Sequence, residues 1–313
     1  MPGRHARSSR SNTRRPWLTL TYVVAILCFT AYVALDTFVI QRTYSAIAVG
    51  TAAKTTCSTS SGTTNEDKVA TATSTSDSGA SVSVSTTRYE NTSVYVVDIY
   101  TDDVTSIMAA LAEGTYGRNI TETTSEMATE NNATVAINGD FYGARNSGYV
   151  IRNGILYRDT AASSSQEDLV IYSDGSFDIV TEGSVTAEDL LDAGAWQVFS
   201  FGPGLIDGSA ITVTANSEVD QAMTSNPRTA IGKVSDGHYV LVVSDGRTSE
   251  SAGLTLYQLA TFMSEQLGCE TAYNLDGGGS STLYYDGEVV NNPTTNGDKI
   301  SERSVSDIVY LTA

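Results

Sequence analysis

The 313-residue chain carries 36 acidic against 18 basic side chains, a formal charge of −18, and only three cysteines. That balance argues against a nucleic-acid partner, because phosphate-backbone binding relies on clustered Lys and Arg. The cysteines show neither CxxC nor zinc spacing, which excludes a zinc module and a disulfide scaffold.

Residues 1–16 form a basic tail with Arg4, Arg7, Arg10, Arg14 and Arg15, followed by a run without charge from Trp17 to Leu35. A spanning helix needs roughly 20 such residues, so 17–40 reads as a single transmembrane signal-anchor. The upstream arginines keep the N-terminus cytoplasmic and place the rest outside the cell membrane. A cleaved signal peptide is the rival, since Ala46-Ile47-Ala48 has the small-residue pattern that would leave Val49 first. Against it stand an apolar run longer than the usual ~7–15 residues and the intervening Arg42. Residues 1–42 hold six of the basic and one of the acidic residues, leaving 12 against 35, a net of −23, on the remainder. An extracellular surface kept soluble by charge accounts for this acidity.

The stretch 41–80 reads as a disordered stalk. Between Thr51 and Thr87, 20 of 37 residues are Ser or Thr, too little apolar surface to offset the entropy of ordering. A Cys57–Cys269 bridge stays open.

Residues 81–313 carry the folding signals. Ser93 to Tyr100 reads as a strand, and Asp103 opens a predicted helix with Val104, Ile107, Met108 and Leu111 at i, i+3, i+4 and i+7. Further strands are expected at Thr134–Ile137, Leu169–Tyr172, Ile211–Thr214, Tyr239–Val243 and Ile308–Leu311. Leu283–Tyr285 and Glu288–Val290 around Asp286-Gly287 make a hairpin. The best-marked helix runs from Leu256 to Leu267, with a Thr255/Gln258 capping box and Gly268 as its left-handed stop. Strands outnumber helices without regular βαβ alternation, so the class is α+β with a mixed β-sheet core and a few packed helices.

Asn274-Leu275-Asp276-Gly277-Gly278-Gly279-Ser280-Ser281 is the most conspicuous motif. No lysine follows Gly279, as a Walker loop requires, and the next element is a strand, not a helix whose dipole would face an anion. A serine nucleophile needs a base, and His238 is the one histidine beyond residue 42; nor is there a GxSxG elbow. Similar acid or arginine turns stand at other strand ends, where scaffolds usually present binding groups.

The ordered set AINGDFY (136–142), FGPGLIDG (201–208), NPRTAIG (226–232), DGR (245–247) with SAGLTLYQLA (251–260), NLDGGGSSTL (274–283) and ERSVSD (302–307) resembles the phosphodiester glycosidase domain family. That is the family of N-acetylglucosamine-1-phosphodiester α-N-acetylglucosaminidases and of bacterial exopolysaccharide-related proteins. The resemblance covers about Tyr89 to Ala313 and implies hydrolysis of a sugar-1-phosphodiester, GlcNAc-1-phosphodiester-like, in cell-surface glycopolymers. Its rival is a noncatalytic glycan-binding domain assisting exopolysaccharide assembly or export.

The residue types agree with that chemistry. A phosphate is already a good leaving group, so the site needs arginines to hold it and a carboxylate to stabilise charge at the sugar or activate water. Arg228, Arg247 and Arg303 lie in matching motifs and suit bidentate phosphate binding. Asp276 is the first choice for the catalytic carboxylate, followed by Asp140 and Glu302. Asn138 is expected to bond sugar hydroxyls; Gly277, Gly278 and Gly279 let backbone approach the ligand, with Ser280 and Ser281 beside them. No cofactor is expected. Calcium, with Asp140, Asp245, Asp276 and Asp298 as oxygen donors, stays as an alternative without an EF-hand loop. Phe141, Tyr142 and Tyr149 are candidates to stack on a sugar.

Overall fold

The computed structural model describes residues 16–47, 72–75, 79–217 and 225–312. By contacts the chain divides into two units, Met1–Ile40 and Gln41–Ala313.

The first unit contains one helix, α1 (Pro16–Phe38), of 23 residues. At 1.5 Å per residue it is about 35 Å long, enough for a hydrocarbon core of about 30 Å. Its Leu20–Thr37 window is long and apolar enough to cross a membrane, a property shared by anchors and by signal sequences.

In the second unit, the start of the expected stalk is docked rather than loose. Arg42–Thr43 pairs with Gly117–Arg118, Tyr44 N donates to Tyr116 O at 2.9 Å and Ile47 N to Leu156 O at 2.8 Å. The Tyr44 ring meets Tyr116 at 6.0 Å. Strand Ala72–Thr75 adds to the edge of Ser81–Tyr89. The rest of the Ser/Thr tract, Cys57 included, lies outside the described residues, and Cys269 is a buried free thiol.

Three larger sheets build this unit. The eight-stranded sheet runs, in spatial order, 210–211, 204–207, 271–274, 228–235, 238–244, 92–100, 81–89 and 72–75. One five-stranded sheet is ordered 288–289, 283–285, 135–138, 307–311 and 108–111; the other 177–181, 167–172, 195–199, 150–152 and 155–158. All three meet in one core: Val97, Ile99, Leu241 and Tyr273 pack with Ile137, Leu283 and Val309, and with Leu169, Ile171 and Phe199. Each sheet then covers its other face with a short helix. Against α2 (Thr124–Glu130) lie Ala136 and Ile308; against α3 (Ala187–Asp192) lie Ile151, Val170 and Val198; against α4 (Leu256–Glu265) lie Val94, Val96, Val240 and Val242.

This sandwiching explains the sequence of strand Thr92–Tyr100. Val94 and Val96 face α4 while Tyr95, Val97 and Ile99 face the common core, so both faces are buried and the run is almost continuously apolar. The α+β class holds, with the strand ladders of these sheets antiparallel. The Asp286-Gly287 hairpin pairs Tyr284 with Val289 and Tyr285 with Glu288, and both turn residues have positive φ, as a type I′ turn requires. The predicted Ile211–Thr214 strand is only Ala210–Ile211.

One expected helix is not formed. After Asp103 the chain makes a single 3-10 turn, Val104–Ser106, and then a strand, Met108–Leu111. Asp103 accepts from Thr105 N at 2.9 Å and Thr105 Oγ1 at 2.6 Å, closing a local turn, and Met108–Leu111 gains a full ladder on Asp307–Leu311. Tertiary pairing thus overrides a four-residue helical spacing.

Helix α4 forms as the spacing predicts. Thr255 Oγ1 accepts from Gln258 N, and the Gln258 side chain returns to Thr255 N at 2.9 Å. Leu256, Leu259, Ala260 and Met263 are buried, and Gly268 at φ +71° ends the helix. Thr255→Ala removes this cap and is expected to lower stability by about 1 kcal/mol. Urea unfolding followed by circular dichroism should show a lower midpoint with an unchanged slope.

Candidate functional site

The sheet registers bring the motif turns to one end of the fold. Arg228 opens a strand opposite Ser244, which closes its neighbour; Asn274 closes the strand paired at Ala230; and Asn138 sits opposite Ile308 in the second sheet. Asp245 to Arg247, Leu275 to Ser281, Gly139 to Tyr142 and Glu302 to Ser306 leave from these strand ends.

One backbone link and one buried amide tie the two sheets together there, and a second link extends the ladder of the eight-stranded sheet. Asp276 N donates to Gly139 O at 3.2 Å and Leu275 N to Thr229 O at 2.9 Å. Asn138 Nδ2 donates to Asp276 O at 2.6 Å, while Asn138 Oδ1 accepts from Thr229 Oγ1 at 2.8 Å and from Thr282 N at 3.3 Å. Asn138 is wholly buried with both ends of its amide occupied. It therefore aligns the Asp276 turn and does not offer itself to sugar hydroxyls, as the sequence suggested.

Asp276 lies at the mouth of this arrangement. One carboxylate oxygen accepts from Ser280 Oγ at 2.6 Å and from Arg303 Nη2 at 3.2 Å. Arg303 also directs Nε and Nη2 at Ser280 Oγ, at 2.9 and 2.6 Å, and Nη2 at Gly277 O, at 3.2 Å. Burial raises the Asp276 carboxyl above its ordinary range, opposed by Arg303 and Ser280. The shift favours a carboxyl able to exchange a proton closer to neutrality than a surface aspartate does.

The three arginines converge electrostatically. Arg228 is buried and donates Nε to Leu254 O at 2.9 Å; burial first, then the charge of Arg247, lowers it to about 10. Arg247 is lowered by burial and by Arg303. Its Nε donates to Asn226 Oδ1 at 3.0 Å and its Nη1 to Thr295 O, both neutral acceptors, and no acid pairs with it among the described residues. Arg247 also holds a left-handed φ of 61°, the kind of backbone that persists where surrounding structure fixes it. Gly278 is what lets it in: a Cβ there would lie 2.9 Å from Arg247 Nη2, and φ is +63°. Gly277, Gly279 and Ser281 complete the turn, Ser281 with a buried hydroxyl. The result is a positive pole around one nearly buried carboxyl, able to hold a phosphate oxygen beside a group that takes or gives a proton.

The other proposed carboxylates are placed elsewhere. Asp140 is fully buried, with Arg152 Nη2 at 2.8 Å, Tyr142 N at 3.1 Å and Ser200 N at 2.8 Å. Glu302 accepts from Ser125 Oγ at 2.7 Å and Ser125 N at 3.3 Å, turning it to the start of α2, one residue before Arg303. Tyr142 and Tyr149 are buried and unavailable for stacking, whereas Phe141 is 40% exposed. The oxygens considered for calcium are also engaged: Asp245 by Tyr95, Asn291 and Asn292, Asp298 by Asn296. Among the described residues no three His, Cys, Asp or Glu side chains are grouped as metal ligands.

Sequence reasoning missed the groups behind the site. Arg152 donates Nε to Asp307 Oδ2 at 2.9 Å, a buried ion pair. Burial and the Asp140 charge raise the Asp307 carboxyl, against the pull of Arg152. Ser200 bridges to a second acid, donating Oγ to Glu182 Oε1 at 2.9 Å. Glu182 lies beside Asp168, whose two buried oxygens have no hydrogen-bond partner at normal geometry. A lone arginine inside the strand-like run Tyr149-Val150-Ile151-Arg152 was the available signal.

The family model for phosphodiester glycosidases matches residues 131–312, which include every motif above. The chain is 35% identical over 203 residues to an SPbeta prophage-derived uncharacterized protein of Bacillus subtilis, covering 63% of this chain and 30% of that one. It is 31% identical over 189 residues to human N-acetylglucosamine-1-phosphodiester alpha-N-acetylglucosaminidase, covering 55% and 36%. The chain thus spans about a third of the length of these curated relatives. In fold it is similar to the zebrafish N-acetylglucosamine-1-phosphodiester alpha-N-acetylglucosaminidase catalytic domain auto-inhibited by pro-peptide, with a TM-score of 0.59 at 20% identity over 75% of this chain and 83% of that one.

Asp168 makes stability pH-dependent. Burial first, then Glu182, raises its carboxyl to about 9, against an ordinary value near 3.9 when unfolded. Between about pH 4 and 9 the folded protein holds a proton that the unfolded chain releases, so stability falls as pH rises through that window. Asp168→Asn is expected to abolish this loss: its melting temperature should gain on the wild type steadily from pH 5 to 9. Parallel melting profiles would contradict the assignment.

Proposed function

Because the chain belongs to the phosphodiester glycosidase family, we propose that it is a membrane-anchored extracellular hydrolase cleaving sugar-1-phosphodiester linkages in cell-surface glycopolymers. The observation that carries this reading is the pairing of a nearly buried Asp276 carboxyl with Arg303, 3.2 Å away, while Arg247 and Arg228 add positive charge beside the same turn.

The roles follow from what each group can do. Arg303 and Arg247 bind the phosphate oxygens, and Arg228 supports them from the interior. A diester phosphate leaves as a weak base once its charge is matched by guanidinium, so protonation of the leaving group matters less than in ordinary glycosidases. Asp276 faces the sugar side, where it stabilises positive charge at the anomeric carbon or activates the attacking water. Ser280 holds that carboxylate in orientation. Asp140 and Asn138 act from behind by fixing the turn, and the chemistry is assigned to side chains without a metal. The helix α1 tethers the domain, with the basic tail on the cytoplasmic side.

Full-length protein in detergent micelles should release sugar from methyl- or aryl-phospho-N-acetylglucosamine, with the phosphomonoester as the second product. Asp276→Asn should lower the rate about 100-fold or more while leaving the melting temperature close to the wild type. Equal activity in both proteins would remove Asp276 from catalysis. No release from a panel of sugar-1-phosphodiesters would favour a noncatalytic glycan-binding domain of the same fold.

Mass spectrometry of the protein from membrane fractions should find residues 17–40 intact. An N-terminus at Val49 would establish cleavage and remove the anchor.

A further inference from the structure

Phe141 stands out among the described residues. Ten non-glycine residues there have left-handed φ, and nine of them are polar or charged; Phe141, at 68°, is the apolar one. L-residues avoid this region because Cβ crowds the following carbonyl, and asparagine and aspartate visit it most easily. A phenylalanine held there requires neighbours that fix it. Asp140 N donates to Asp307 Oδ1 at 3.2 Å, Tyr142 N to Asp140 Oδ1 at 3.1 Å, and Ala144 N to Phe141 O at 3.3 Å.

This strained backbone sends a large ring outward. Phe141 is 40% exposed, while Phe177, Phe199 and Phe262 are buried. Of the other exposed rings of the folded unit, Tyr44 meets Tyr116 and Tyr100 stacks on His238 at 4.2 Å, while Tyr257 on α4 has no ring partner among the described residues. Phe141 makes no ring or cation contact among the described residues. Hydrophobic surface gives no reason for the arrangement, since the conformation exposes what burial would stabilise.

Its position supplies the reason. Gly139 O receives Asp276 N at 3.2 Å, and Phe141 lies two residues on, at most about 7.6 Å of chain from Gly139. The Phe141 backbone is therefore tethered close to the Asp276 turn, and its ring is exposed. We propose that Phe141 is the platform on which the sugar ring of the phosphodiester stacks, a specificity-determining residue for the site whose arginines hold the phosphate. The inference rests on the sugar-phosphate reading above. A pyranose presents an apolar C–H face, which a flat aromatic side chain covers at little entropic cost, while the polar groups of a site set orientation. A strained residue retained for binding fits the observed outlier.

Substitution by glycine separates binding from structure. Phe141→Gly relieves the left-handed strain, so its melting temperature should equal or exceed that of the wild type. Isothermal titration of the full chain in micelles would compare inorganic phosphate with N-acetylglucosamine 1-phosphate. The wild type should prefer the sugar phosphate, and Phe141→Gly should lose that preference by about tenfold, with phosphate affinity unchanged. Phe141→Trp should keep the preference. An unchanged preference in Phe141→Gly, or a wild type without one, would overturn the platform. A lower melting temperature together with weakened phosphate binding would make Phe141 a structural brace instead, which also overturns it. A wild type that binds neither phosphate probe would sink the sugar-phosphate reading itself, an outcome distinct from loss of the sugar preference alone.

Discussion

Arg152 has almost no access to water, and a guanidinium in that position must be neutralised within the protein. Asp140 and Asp307 bracket it at 2.8 and 2.9 Å, and the Phe199 ring lies 4.3 Å from its carbon. The extra negative charge is taken up by backbone N–H groups of Tyr142 and Ser200 on Asp140, and of Asp140 on Asp307. Removing one partner of such a buried set leaves an uncompensated charge, at a cost of about 3–5 kcal/mol. The triad fastens three segments that are far apart in sequence. Asp307 also presses its carboxylate so close to Gly139 that a Cβ there would lie 2.2 Å from Oδ1. Gly139 O in turn receives Asp276 N. The location of the Asp276 carboxyl thus follows from an ion cluster behind it.

Charge is arranged against the grain of the chain. The segment after residue 42 has a net charge of −23, yet three arginines from separate turns influence one another beside a glycine-rich loop. Burial lowers Arg228 and Arg247, and the neighbouring like charges, Arg247 and Arg303, lower them further. On the proposed function, an incoming phosphate would relieve that repulsion and favour anions on a surface that otherwise repels them.

Much of this was legible because it was local. The capping box of α4, the Asp286-Gly287 turn and the doubly buried strand at Thr92–Tyr100 each announce themselves within a few residues. Asp276 and the three arginines were readable as motif turns at strand ends. The helix at Asp103 was misread because an i, i+3, i+4, i+7 set over eight residues does not outweigh a ladder offered by Asp307–Leu311, which lies two hundred residues away. For the same reason Asp140 and Asn138 looked like ligand groups. Their residue types suit a sugar, but their partners Arg152, Thr229 and Thr282 come from other elements, and only the fold shows that their polar atoms are occupied. Asp168, inside a strand, and Glu182, just past the end of the next one, carried no sequence signal at all.

Ser280 connects the two halves of the site. Its oxygen takes Nε and Nη2 of Arg303, the edge of the guanidinium best shaped for two phosphate oxygens, and its proton goes to Asp276. On the proposed function, a phosphate that engages that edge would displace the hydroxyl from the fork. The same displacement draws Arg303 charge away from Asp276 toward the ligand, and an anion arrives beside the carboxylate. Both changes raise its affinity for a proton. Phosphate capture, as proposed, would thus be coupled to the proton affinity of Asp276 through Ser280 and through Arg303 itself. On the sugar-phosphate reading proposed above, the carboxylate would become a stronger base when substrate is present.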